Sequence, residues 1–488
     1  NIRAGLQFLD KPMGIMKDEK LIDFLHHSSH EIREESLRIA TARENPALID
    51  HIIGNLAYPK SAMQARNALS SFEEKLVLST LSEYLFNMDS EFPLQMGIIR
   101  CLKHYKVENS SNILQKGLNE TYLNILSEVT NSLLSVARGY HPSDEFIKEI
   151  EMNLDSIAQR VYQLVLFLDR LPDDENCFLI KDHIESDIKK IIQIMLKLGV
   201  LHDPKTPIET YIQYVANQDS ELMPYVLELV DTTFSPGNRK LTMPLIDIDI
   251  DEVKVGEDLF DELLVEFDDL ILSWIHGVHK WKTAIALNYI IKSNRQDLLK
   301  LIDWDKIQNT IFIDQLFSRI EDRSGKIKEM IPLKMFNLKK ETNMYSILEK
   351  TILLKSVDLF KNIPGDVLTR IAQISKETYH SEENLMFSEG DYGDSMYIVV
   401  EGNVRIHKGE HHIVTLGKST VLGEMALLDQ EPRSADATAE AETTVLKIEQ
   451  DGFYELMAGN SEIMQQIIKM LSGRLRDTNI KLQEALGK

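Results

Sequence analysis

Short strand-forming runs separated by glycine turns fill residues 389–448, and this pattern limits the fold more than any other feature of the chain. The runs are rich in β-branched and aromatic residues, which pack well on a pleated surface. Glu401-Gly402-Asn403 is a tight-turn sequence between two of them. The predicted strands are Met396–Val400, Val404–Ile406, His412–Leu416 and Thr443–Ile448. Many short strands with glycine turns predict a small antiparallel jelly roll or barrel.

The segment Val421–Ala435 combines groups that suit a ribose and a phosphate. Gly423 has no side chain, so the backbone there can approach a ligand closely. Glu424 can accept a hydrogen bond from a ribose 2′-hydroxyl, and its charge strengthens that bond. A helical turn that begins at Met425 would direct its free N–H groups toward an anion. Arg433 offers a planar fork of donors that fits two phosphate oxygens.

These two segments together resemble the cyclic-nucleotide-binding domain family. The resemblance rests on the glycine-rich block Glu389–Ile406 and on Gly-Glu followed by Arg-Ser-Ala in Val421–Ala435, and it covers roughly Leu354 to Leu482. It implies that the glutamate holds the ribose 2′-hydroxyl and that the arginine holds the cyclic phosphate. The residues that the resemblance assigns to the ligand are Gly423, Glu424, Met425, Ala426, Arg433, Ser434, Ala435, Ile406, Ile413, Val414, Thr478 and Asn479.

We call the segment Val421–Ala435 the cassette. The resemblance also implies roles for residues outside it. Ile406, Ile413 and Val414 match positions that line the nucleotide pocket. Thr478-Asn479 lies on a predicted terminal helix, Glu462–Leu486, which in the catabolite-activator branch covers the adenine and forms a dimer. An ordinary amphipathic capping helix is the alternative for this segment.

The ligand expected from the resemblance is cyclic AMP rather than cyclic GMP. Selection for guanine in the family often uses a threonine directly after the arginine, and this chain has Ser434 there. Two departures concern the loop shape: Lys418-Ser419 replaces a glycine turn, and Leu422 stands where an aromatic residue is common. A packing module without ligand is the alternative, but such modules lose the arginine or the glutamate. A buried Glu/Arg pair without a ligand would also carry a desolvation cost.

Composition and charge exclude several classes of partner. The 488 residues are enough for two to four domains and carry a net charge of −23, which disfavours nucleic acid and anionic membrane surfaces. The two cysteines have no nearby partner in sequence, so we expect a reducing cytoplasm. The chain begins at Asn1 rather than methionine, which suggests a preceding domain.

Residues 1–138 show a degenerate helical repeat. Similar stretches begin at Ile32, Ala62, Pro93 and Tyr122, about 30 residues apart, and a helix pair per step of that size is typical of an α-solenoid. The repeats resemble HEAT repeats; an irregular helical bundle is the alternative. The predicted domains are a HEAT-like solenoid at 1–138, a further repeat-like helical region at 139–343, a connector helix at 344–360 and the nucleotide-binding jelly roll with flanking helices at 361–488.

Catalytic motifs are absent from the sequence: it contains no P-loop, no Gly-x-Ser-x-Gly elbow and no His-Glu-x-x-His. We therefore expect a non-enzymatic cyclic-nucleotide sensor without a metal site, coupled to a helical-repeat scaffold. The domain order resembles the soluble tail of bacterial ATP/ADP-carrier-like membrane proteins. This resemblance implies a cytosolic regulatory part tethered to the inner membrane, with a protein or a preceding membrane domain bound by the repeats. The alternative is a protein-interaction scaffold whose nucleotide domain is structural only.

Overall fold

The computed structural model describes most of the chain, and the statements below concern those residues. They are 17–87, 90–105, 107–119, 122–138, 143–201, 203–217, 221–260, 266–277, 279–308, 310–320, 326–336, 344–425, 431–459, 463–464, 467–468 and 472. The predicted site residues Ala426, Thr478 and Asn479 lie outside them, as does most of the predicted terminal helix.

The chain divides into two compact units. One unit contains residues 1–166 and 187–264, and the other contains residues 167–186 and 265–488. The divisions at 166/167 and 186/187 fall inside long helices. Among the described residues, each helix is too short or too polar to cross a bilayer.

Helices make up the described part of the first unit. They are α1 (Asp18–Leu25), α2 (His30–Arg43), α3 (Ile49–Gly54), α4 (Ala62–Leu69), α5 (Glu74–Leu85), α6 (Phe92–Leu102), α7 (Val107–Lys116), α8 (Leu123–Ala137), α9 (Asp144–Asp169), α10 (Phe178–Gly199), α11 (Ile208–Asn217), α12 (Met223–Thr233), α13 (Pro236–Thr242) and α14 (Glu252–Phe260). Helices α9 and α10 also contribute residues to the second unit.

The first eight helices pack as consecutive pairs. Each odd-numbered helix contacts the even-numbered helix that follows it, and α1, α3, α5 and α7 contact one another in turn. On the other side, α2 contacts α4 and α6 contacts α8. Their buried residues, among them Leu37, Ile52, Leu81 and Leu126, belong to one continuous hydrophobic core. Stacking of this kind buries an apolar face that one pair could not cover alone.

A glycine permits a close approach between two of these pairs. A Cβ atom built on Gly97 of α6 would lie 2.2 Å from the carbonyl oxygen of Leu56, which follows α3. This distance is far inside van der Waals contact, and the neighbouring atom belongs to the backbone. Position 97 therefore requires glycine although a helix interior disfavours it.

The second unit combines helices with all the strands. Its helices are α15 (Phe267–His276), α16 (Lys280–Lys292), α17 (Gln296–Leu299), α18 (Ile311–Ser318), α19 (Lys326–Met330), α20 (Ile347–Lys355), α21 (Gly365–Ile374) and α22 (Gln450–Gly459). Its strands are β1 (Lys376–His380), β2 (Leu385–Phe387), β3 (Ser395–Glu401), β4 (Val404–Lys408), β5 (His411–Leu416), β6 (Val421–Leu422), β7 (Asp436–Ala439) and β8 (Thr443–Glu449).

The strands form two antiparallel four-stranded sheets, ordered β1-β8-β3-β6 and β2-β7-β4-β5. Val399 and Val445 of the first sheet share a buried cluster with Val404 and Ala437 of the second. Because side chains alternate along a strand, the opposite face of the first sheet packs on the flanking helices, where Met396 joins residues of α20 and α21. A mostly helical region followed by a two-sheet β-domain is therefore confirmed.

The predicted connector segment contains α20, which begins at Ile347 because Ser346 and Glu349 form a reciprocal capping box. The helix is attached to β1 by an ion pair between Lys350 Nζ and Glu377 Oε1 at 3.1 Å, with side chains 4% and 13% exposed. Glu377 also accepts hydrogen bonds from the backbone N–H groups of Met344 and Tyr345. The β-domain and its leading helix are thus joined by a buried ion pair and by two backbone hydrogen bonds to the same carboxylate.

Gly97→Ala should destabilise the helical unit by about 1–3 kcal/mol, because the added methyl group overlaps a backbone carbonyl. Gly54→Ala is the matched control: it lies in α3, and its Cβ would meet only the ring of His26 at 3.9 Å. That control should be neutral or more stable by about 0.5–1 kcal/mol. Thermal unfolding followed by circular dichroism measures both variants, and equal stability of the two would contradict the close packing at position 97.

Candidate functional site

Arg433 lies shortly before strand β7, which begins at Asp436, and it is buried, with 6% of the residue exposed. The guanidinium carbon stands 4.3 Å from the ring centroid of Phe387 on β2, a favourable cation–π distance. The ring of Phe387 stacks in turn on Tyr397 of β3, with centroids 5.9 Å apart. Strands from both sheets therefore enclose this one cation.

Backbone carbonyls satisfy two of its donors. Arg433 Nη1 donates to the Gly423 carbonyl at 3.0 Å, and Nη2 donates to the Ser395 carbonyl at 2.7 Å. The buried Nε–H has no hydrogen-bond partner among the described residues. A guanidinium offers five N–H donors, so three remain for other acceptors.

The charge of Arg433 is held at an energetic cost. Burial lowers the pKa of its guanidinium, while Tyr397, Asp394 and Asp391 act in the opposite direction. A buried cation with unused donors is stabilised by an anion that supplies both charge and acceptor oxygens. The site is therefore suited to a phosphate.

Gly423 makes this arrangement possible. Its φ of +74° lies in the left-handed region that glycine adopts without strain. A Cβ atom at this position would lie 2.2 Å from Arg433 Nη1. A side chain at this position would therefore be strained and would displace the end of Arg433.

The other cassette residues take different positions along the same segment. Glu424 is half-buried and directly follows Gly423, and Met425 is exposed; both are helical, as expected for the start of a turn. Ser434 is exposed, whereas Ala435 is buried. The predicted contacts of these residues with a ligand stay predictions.

The predicted pocket-lining residues lie on the β4–β5 hairpin. Ile406 is paired in register with Val414, and a register shift follows directly, between Ile406 and His407. Ile406 is half-buried against the core shared by the two sheets. Ile413 and Val414 are 49% and 42% exposed, so apolar surface is available on this edge strand.

Sequence reasoning missed several groups around Arg433. Phe387, Asp391 and the Ser395 carbonyl were assigned no role in the site, and Tyr397 was predicted only as part of the strand Met396–Val400. The backbone of Asp391 accepts the Arg433 N–H at 2.8 Å, and the Arg433 carbonyl accepts the N–H of Gly390 at 2.8 Å. The glycine-rich loop is therefore joined to the end of the cassette. In the sequence, only the aromatic residues Phe387 and Tyr397 could have indicated this site. An aromatic residue in a buried strand is equally consistent with packing alone.

A metal site requires several donor side chains that lie close together. Within the part of the chain that the structure describes, no group of three or more His, Cys, Asp or Glu side chains is placed to hold a metal ion. The two cysteines, Cys101 and Cys177, are buried, and burial raises the pKa of each thiol, to about 12 and about 11.

Residues 377–460 match the family model described as cyclic nucleotide-binding domain. The β-domain is a cyclic nucleotide-binding domain. The match covers both sheets and the helix that follows them, and it includes Arg433, Gly423 and the glycine-rich loop around Gly390. The part of the chain that precedes this domain is mostly helical.

Two of the relatives that match this cyclic nucleotide-binding domain are a bacterial regulator and a human kinase. The chain is 26% identical over 139 residues to a CRP-like cAMP-activated global transcriptional regulator of Mycobacterium tuberculosis, which covers 28% of this chain and 62% of the regulator. It is 29% identical over 150 residues to cGMP-dependent protein kinase 2 of Homo sapiens, which covers 27% of this chain and 20% of the kinase. The chain thus spans less than two thirds of these relatives.

A solved structure shows a likeness of the same extent. The N-terminal domain of a transcriptional regulator from Streptomyces coelicolor is 26% identical, and the match covers 27% of this chain and 94% of that chain with a TM-score of 0.26.

Gly423→Ala should lower the thermal stability of the domain more than Gly390→Ala. Both glycines have positive φ, +74° and +84°, so both alanines incur left-handed strain of roughly 1–2 kcal/mol. Only the alanine at 423 also displaces Arg433, because no described atom lies within 4 Å of a Cβ at Gly390. Thermal unfolding of the two variants measures the difference.

The contact with Arg433 is isolated by repeating both substitutions in an Arg433→Ala background. There the two alanines should have equal effects, because the side chain that Gly423 accommodates has been removed. An undiminished excess at position 423 would show that its cost comes from elsewhere.

Proposed function

We propose that this chain is a non-enzymatic cyclic-nucleotide sensor that prefers cyclic AMP. The observation that carries the proposal is the buried Arg433 guanidinium, whose Nε–H has no partner among the described residues. In the proposed complex Arg433 and Ser434 hold the cyclic phosphate. Glu424 accepts the ribose 2′-hydroxyl, and the apolar residues of the β4–β5 hairpin face the base.

The remaining proposed contacts complete the ligand site. The N–H groups of Met425, Ala426 and Ala435 add donors to the phosphate, and Thr478-Asn479 covers the adenine. The names of the two relatives support a cyclic nucleotide as the ligand class, and they include both cyclic AMP and cyclic GMP.

We further propose that the N-terminal helix pairs are HEAT-like repeats that bind a protein partner or a preceding membrane domain. Support comes from the alternating contacts of α1–α8 and from their shared core. The net charge of −23 favours a partner with basic groups over nucleic acid. Under the same proposal, the chain lies in the cytosol and is tethered to the inner membrane by the preceding domain.

Cyclic AMP should bind the full chain more tightly than cyclic GMP, by a modest factor, because the Ser434 hydroxyl still offers one polar contact to guanine. Ser434→Thr should narrow the difference by improving cyclic GMP binding. Calorimetric titration of both nucleotides into both proteins measures this. Equal or reversed affinities in the wild-type chain would refute the cyclic AMP preference.

Arg433→Ala should weaken cyclic AMP binding by about 2–5 kcal/mol, because it removes one partner of a buried charged contact. Glu424→Ala should cost less, about 1.5–3 kcal/mol, because it removes one charge-assisted hydrogen bond. Titrations use protein whose circular dichroism matches the wild type, since Arg433 also joins the two sheets.

Arg433→Lys is the matched control for charge, because lysine keeps the charge but not the planar fork. It should bind with intermediate affinity. Binding of Arg433→Ala at wild-type affinity would contradict the phosphate assignment. Wild-type chain that binds neither nucleotide would support the alternative of a domain that is structural only.

A further inference from the structure

Asp182 of α10 lies where the two helices that lead into the β-domain meet. Its Oδ1 is 2.5 Å from Nζ of Lys355, the last residue of α20, and the two side chains are 17% and 7% exposed. On the next helix, a Cβ atom at Gly365 would lie 3.1 Å from Asp182 Oδ2. One carboxylate of an upstream helix therefore contacts the end of α20 and the start of α21.

The environment of this contact makes it sensitive to displacement. Lys355 Nζ also donates to the Lys361 carbonyl, in the turn that joins the two helices, at 2.9 Å. Trp281 of α16 packs at the same point, because a Cβ at Gly365 would lie 3.0 Å from its ring. Separating a buried ion pair leaves an uncompensated charge, so these helices resist motion relative to Asp182.

The residue after Lys355 continues the contact toward the ligand cassette. The hydroxyl oxygens of Ser356 and Ser419 lie 2.7 Å apart and share a hydrogen bond. Ser419 occupies the left-handed region with φ +64°, and its N–H donates to the Val399 carbonyl at 2.8 Å. Strand β6 follows this turn and leads directly into Gly423.

Only 6% of Arg433 is exposed, so a phosphate that contacts its buried face has to displace a neighbouring segment. Phe387 and Tyr397 are held in the two sheets, whereas Gly423 stands at the end of a two-residue strand. The segment at Gly423 is therefore the part that yields. Its displacement acts on β6, on the turn at Ser419 and hence on the end of α20.

We infer that the Asp182–Lys355 pair is a regulatory contact that opposes nucleotide binding: it holds the end of α20, and through Ser356 and Ser419 the start of β6, in the arrangement that keeps the Gly423 carbonyl on Arg433. The inference rests on the proposed function. It identifies residues 178–186 of α10 as the element that responds to nucleotide binding. By linkage, a contact that favours the covered arrangement lowers nucleotide affinity, and binding in turn weakens the contact.

The test is calorimetric titration of cyclic AMP into the full chain carrying Asp182→Asn. The affinity should rise by about fivefold or more, the lower end of typical coupling between sites. Glu377→Gln is the matched control. It breaks the buried pair with Lys350 on the same helix but does not touch α10, and it should leave the affinity within about twofold of wild type.

Ser356→Ala provides a second variant in case Asp182→Asn does not fold, since the Ser356–Ser419 bond is exposed. It should also raise the affinity. Hydrogen exchange gives an independent readout: cyclic AMP should increase exchange at residues 178–186 in the wild-type chain.

Unchanged or weaker binding by both variants overturns the inference, as does an equal rise in Glu377→Gln, which would indicate general loosening. These results leave the proposed function intact, because the wild-type chain still binds. Absence of binding in the wild-type chain overturns the proposed function and the inference together.

Discussion

The buried guanidinium of Arg433 is the interaction on which the cassette end of the β-domain depends. The guanidinium donates to the carbonyls of Gly423 and Ser395 and stacks on Phe387. The backbone of Arg433 forms two further hydrogen bonds with the glycine-rich loop. Strands of both sheets are thereby held by one charged side chain. The desolvation of that charge is offset in part by carbonyls and an aromatic face, and an anion would offset the remainder.

The helices that flank the strands also determine how the β-domain packs. The outer face of the first sheet is apolar and requires a cover, which α20, α21 and α22 supply. Buried ion pairs then determine which surfaces meet: Lys350 is directed to β1 and Lys355 to α10. A change in the cassette that reaches the end of α20 must act against the Lys355 pair, which is why we expect the signal to leave the domain there.

Sequence patterns predicted much of the fold because the signals are local. A run of β-branched and aromatic residues identified the core of β3, and the turn at Gly402 follows from a residue that tolerates positive φ, here +85°. The cassette was located because glycine, a carboxylate and arginine occur together, and residues 377–460 belong to a cyclic nucleotide-binding domain. The HEAT-like register and the individual ligand contacts stay predictions, since degenerate repeats carry a weak signal and residue types alone do not specify ligand geometry.

The sequence by itself determined where four of the eight described strands lie, that the preceding region is helical and which residue types are offered to a ligand. Tertiary structure decided what those residues contact. Arg433 donates to a carbonyl 38 residues earlier in the chain, and every residue carries the same carbonyl, so residue type could not indicate it. The partner of Lys355 is Asp182, one of many acidic residues, and only the path of the chain brings that carboxylate to the helix end. Local rules act through φ, ψ and side-chain shape, whereas these contacts depend on distances that arise only when the helices and sheets pack.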